Sequence, residues 1–132
     1  MSRVGDRMSK LVEILGFLGA MKDYSYIDRL STALNETSVY EALKDAIRAY
    51  LSLCPPDKHC WAEYKEKLYE CPKVSGDELE KEVEVILKEM KGKSGGEIVK
   101  YSRELAMKAY AAIPKVKIMD KKEAEGKGIE VC

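Results

Sequence analysis

The apolar positions of this chain recur at helical spacing almost throughout and change period only near its C-terminal end. Leu11, Leu15 and Leu18, with Val12 and Ile14 beside them, predict a helix over residues 6–21 that Asp6 caps and that Gly16 and Gly19 weaken. A shorter helix over residues 25–34 would bury Tyr26 or Ile27 with Leu30 and Leu34, and Asn35 suits its C-terminal end. Ser38 with Glu41 three residues later makes a capping-box pattern ahead of Leu43, Ile47, Tyr50 and Leu51, and Pro55-Pro56 stops this third helix. A fourth, over residues 58–70, takes Asp57 as its cap, carries Trp61, Tyr64 and Leu68 on one face and ends at Pro72.

The capping device returns twice. Ser75-x-x-Glu78 opens a helix with Leu79, Val83, Ile86, Leu87 and Met90 on one face, and Ser94-x-x-Glu97 opens the last, which ends at Pro114. Its alanines allow close helix approach, so it is expected to cross the centre of the bundle. Beyond Pro114, Val116-Lys117-Ile118 and Ile129-Glu130-Val131 alternate apolar and polar residues. The fold class is therefore all-α or mainly α: a bundle of five to six helices over residues 1–114, then residues 115–132 as a charged tail or a small β-hairpin.

At 132 residues the chain has room for one domain, and no apolar run approaches the length of a membrane span or a signal peptide. A cytoplasmic location with no membrane contact is the expectation. Gln is absent, Asn and His occur once each, and 35% of residues are charged, a balance typical of hyperthermophile proteins, in which intracellular disulfides are accepted. Net charge is zero, but unevenly spread: residues 57–87 hold five basic and nine acidic side chains, residues 88–122 ten basic and four acidic. The basic stretch suits either internal pairing or a polyanion.

Cys54-Pro-Pro-Asp-Lys-His-Cys gathers two cysteines and the one histidine, with Cys71 further on. The spacing matches no common zinc site, and helical rise would hold Cys60 and Cys71 about 16 Å apart, so no metal site is expected. Cys54 and Cys60 flank the proline turn as a candidate disulfide, with buried free thiols as the alternative. Cys60, beside Lys58 and His59 in a first helical turn, is the one candidate for thiol chemistry. Gly92-Lys93-Ser94 ends like a P-loop but follows a helix and has Leu87 where the first glycine belongs, which leaves a phosphate-tolerant turn or a plain helix cap. Of the eight tyrosines, at most two or three are expected to be exposed. No catalytic constellation is evident, so neither an enzyme nor a cofactor is expected.

The stretch "YSYIDRLSTALN", Tyr24 to Asn35, with "DAIRAY", Asp45 to Tyr50, resembles the first helical region of the small subunit of the archaeal type I-A CRISPR effector complex. The resemblance implies a non-catalytic assembly protein. Its partners would be the large subunit, the repeated backbone subunit, further copies of itself, and guide RNA or target DNA held without reading sequence. The family supplies no short binding motif, so candidate nucleic-acid residues come from local charge: Lys91, Lys93, Lys100, Arg103 and Lys108, with Arg48. The other reading is a generic helical protein-interaction module with no nucleic-acid role.

Overall fold

In a computed structural model of the protein, residues 9–132 are described. The helices are α1 (Ser9–Ala20), α2 (Ser25–Ser31), α3 (Glu36–Leu53), α4 (Gly76–Met90), α5 (Gly95–Ala112) and a short α6 (Lys121–Ala124). Strands β1 (Trp61–Tyr64), β2 (Lys67–Glu70) and β3 (Ile118–Asp120) form a three-stranded antiparallel sheet in that order. The protein is thus mainly α with a small β element. The expected Asp6 cap lies outside the described residues.

The centre of the bundle belongs to α1, not to the last helix as its alanines suggested. Every residue from Ile14 to Met21 is buried, as expected of a helix apolar on all sides, whereas α5 keeps Arg103, Glu104, Met107 and Lys108 in solvent. Gly16 and Gly19 are the reason α1 fits there. A Cβ on Gly16 would stand 2.8 Å from the Ala112 Cβ, and one on Gly19 would stand 2.7 Å from Ile113 Cδ1, so both glycines admit the end of α5 and the turn after it. Across the helix Phe17 meets Tyr50 of α3 edge to face, with ring centroids 6.1 Å apart.

Caps close the ends. Ser75 and Ser94 each complete the reciprocal box with Glu78 and Glu97. Asn35 caps the start of α3, accepting from the Ser38 amide at 2.8 Å, where the sequence had suggested the end of the preceding helix. The first amides of α1 use a remote partner: Lys10 and Leu11 donate to the two carboxylate oxygens of Glu82 on α4, at 3.2 and 2.8 Å. At the other end Lys22, at φ 69°, takes the left-handed position of a Schellman turn, with the Asp23 amide donating to Leu18 O and the Lys22 amide to Gly19 O.

Residues 58–70 are not helical. They fold as the β1–β2 hairpin, whose two-residue turn places Lys65 and Glu66 at φ 48° and 65°. Both angles positive is the condition of the turn that matches strand twist, and Asn-Gly usually supplies it. Asp57, expected as a helix cap, is likewise left-handed, at φ 59°. The alternating segments of the C-terminal stretch do not pair with each other. Ile118–Asp120 joins β2, and Val131 makes a parallel bridge to Trp61, so both complete the sheet that the hairpin starts.

Candidate nucleic-acid interface

The hairpin decides the fate of the cysteines. Its register pairs Trp61 with Glu70, so Cys60 and Cys71 stand opposite each other just outside the ladder, with the Cys71 amide donating to Cys60 O at 3.1 Å. The disulfides are Cys54–Cys71 and Cys60–Cys132, and among the described residues no cysteine is free. The expected Cys54–Cys60 bridge is therefore corrected, as is the 16 Å separation of Cys60 and Cys71: an extended hairpin folds back where a helix would have carried Cys71 away. Buried and oxidised, Cys60 has no thiolate to act as a nucleophile.

The six cations chosen from sequence fall into two places. Lys91 closes α4, and Lys93 follows Gly92, whose φ of 79° turns the chain toward α5. Lys100, Arg103 and Lys108 project from the exposed side of α5, a helix about 27 Å long. Arg103 also reaches back to α2, its Nε donating to Ser31 O at 3.4 Å. Arg48 does not join them. It sits on α3 with Asp45, 3.1 Å away, which also holds Arg29 at 3.0 Å. Arg48 also lines the groove between α3 and α4, where Asp77, Glu80 and Glu84 face a would-be polyanion.

Sequence reasoning missed a second group of cations. A concavity of about 430 Å³ beyond the C-terminal end of α5 is lined by Lys10, Lys73, Lys115 and Lys117, with Ala112 and Val116 between elements and Glu13 and Glu70 as its acids. Glu70 is engaged by His59 at 3.0 Å and Glu13 by Lys10 at 3.8 Å, whereas Lys73, Lys115 and Lys117 make no ion pair among the described residues. Lys115 and Lys117 belong to the basic segment and could have been named from it. Lys10 and Lys73 arrive from distant sequence and left no local signal. Lys108, one helical turn before Ala112, connects this cradle to the cations along α5. Glu97 and Glu104 share that face, and Glu97 is occupied by its cap: the hydrogen bonds from Ser94, then the field of Lys93, hold its carboxyl below the ordinary range.

The other shifted groups fasten elements together. Burial, with Glu13 second, pushes the Tyr50 phenol up to about 12 while its hydroxyl donates to Pro72 O at 3.1 Å. Burial and then Glu89 raise Tyr101, and a hydrogen bond to Asp28 raises Tyr110. Lys121 is raised by its 3.0 Å hydrogen bond to Glu63, which ties the C-terminal segment to β1. Two of the eight tyrosines, Tyr64 and Tyr110, are exposed, within the expected two or three. Among the described residues no helix is long and apolar enough to cross a membrane. No family model, curated protein or solved structure matches the chain.

Proposed function

We propose that this chain is a non-catalytic subunit of an RNA-guided DNA-interference assembly of the type I-A CRISPR kind, holding nucleic acid through its phosphates without reading base sequence. The observation that supports this reading is the run of exposed lysines from the α4–α5 turn, along α5, to the cradle of Lys73, Lys115 and Lys117. A backbone track needs cations at intervals and tolerance of any base, and an exposed helix face ending in a basic concavity supplies both. The resemblance of residues 24–50 to the effector's small subunit supplies the kind of assembly. Zero net charge suits a subunit that contributes to a composite groove better than a strong stand-alone binder.

Reversing Lys93, Lys100 and Lys108 to Glu together is expected to abolish retention of single-stranded DNA by the assembled complex while leaving co-purification with the large and backbone subunits intact. Retention unchanged by the triple reversal would remove the nucleic-acid role. One observation favours the second reading, a helical protein-interaction module: Met107 is 70% exposed on α5. On that reading Met107→Lys releases a protein partner and the lysine reversals leave DNA retention as it was.

A further inference from the structure

We infer that the four cysteines are the ligands of a structural thiolate site for a soft divalent cation, zinc in the first instance, occupied when the two disulfides are reduced. The disulfides are not separate staples. Sγ of Cys71 lies 3.5 Å from Sγ of Cys132, and the sulfurs of Cys54, Cys71 and Cys132 all lie within 4.8 Å of one another, while the Cys60 sulfur is bonded to that of Cys132. Four thiolates placed tetrahedrally at about 2.3 Å from zinc stand about 3.8 Å from each other. The sulfurs of Cys54, Cys71 and Cys132 are already gathered on that scale, and Cys60, freed from its bond to Cys132 on reduction, has to turn in to complete the set.

The topology delivers the ligands from four directions. Cys54 ends α3, Cys60 and Cys71 are the facing feet of the hairpin, and Cys132 is brought in by its amide, which donates to Trp61 O at 3.0 Å. Such a set is complete without water, which marks a structural rather than a catalytic centre, and thiolate ligands select zinc over hard cations. Cys54, Cys60 and Cys71 are buried, and the exposed Cys132 leaves an entry path. The filled site would carry two negative charges, and Lys73, Lys115 and Lys117 border the concavity that Cys71 also lines. His59 stands outside the set, held by Glu70.

The chemistry balances with a dithiol reductant. Each cystine takes two electrons and two protons from one dithiol, which leaves as its own disulfide, so two equivalents yield four cysteine thiols. Zinc binding then releases the four thiol protons and forms four Zn–S bonds.

The full chain, reduced with a phosphine and freed of oxygen, is titrated with zinc, and with cobalt as a spectroscopic substitute. The expected result is about one ion retained per chain after desalting, an intense tetrahedral cobalt–thiolate spectrum, and no retention by the oxidised protein. If reduction loosens the fold, zinc should restore the helical circular dichroism, which keeps the test open to failure. Cys132→Ser is expected to weaken binding by at least about tenfold, Cys132→His to retain it as a three-cysteine, one-histidine site, and His59→Ala to leave it unchanged. Absence of zinc uptake by the reduced chain overturns the inference. So does uptake indifferent to Cys132→Ser, or uptake lost with His59→Ala.

Discussion

Glu82 shows how one side chain can join two elements that the sequence leaves unrelated. Its carboxylate caps the first amides of α1 from 71 and 72 residues away, and half-burial raises its pKa against the lowering effect of those amides. Glu82→Ala should cost about 1–2 kcal/mol, read from chemical denaturation, because two helix-start donors lose their partner. A carboxyl raised in the folded state binds more protons there than in the unfolded chain, so its ionisation lowers stability as pH rises from the unfolded pKa toward the folded one. That slope should be present in the parent and flattened in the alanine variant, and an identical pH profile would contradict it. At Gly16, where helix propensity favours alanine, Gly16→Ala should instead destabilise by about 1–3 kcal/mol, since the new Cβ strikes Ala112. Both effects were hidden from sequence reading for one reason: each depends on a partner that periodicity does not name.

At the scale of elements, two of the three capping boxes read from sequence were legible; the third, Ser38 with Glu41, falls inside α3, which Asn35 caps. Ser75 with Glu78 and Ser94 with Glu97 open α4 and α5 where the capping-box spacing predicts. Residues 58–70 were misread because Trp61, Tyr64 and Leu68 also fit a helical face, and because Lys65-Glu66 occupies a turn without the Asn or Gly that marks it. Replacing Lys65-Glu66 by Asn-Gly should therefore stabilise the protein, by about 1 kcal/mol, as a rise in denaturation midpoint with an unchanged denaturant slope. The same misreading hid the disulfides, since only the hairpin register brings Cys71 back to Cys54 and Cys60. Cys60–Cys132 spans 72 residues and Cys54–Cys71 spans 17, so in the oxidised, metal-free protein removing the long-range bridge should cost about 4 kcal/mol and the short one about 3. A larger loss from the short one would show that loop closure does not govern their effect.

Over the whole molecule, α5 packs against α1 and α2, burying Ile98, Leu105, Ala106 and Ala109, and leaves the side of Lys100, Arg103 and Lys108 in solvent. Gly16 and Gly19 admit the end of α5 and the turn after it to α1, while the side of α5 that carries these cations stays exposed. The basic segment was visible in the charge count, but its extension into Lys10 and Lys73 needed the fold. Arg48, counted with it from sequence, belongs to an acidic groove instead. A protein that holds nucleic acid by its phosphates releases counterions as it binds. The most direct test is therefore the affinity of the assembled complex for single-stranded DNA over a series of salt concentrations, for the parent and for the Lys93, Lys100 and Lys108 reversal. Every lysine–phosphate interaction removed should reduce the slope of log affinity against log salt by about 0.7, so the triple variant should be shallower by about 2 regardless of base sequence. Equal slopes for the two proteins would contradict the account.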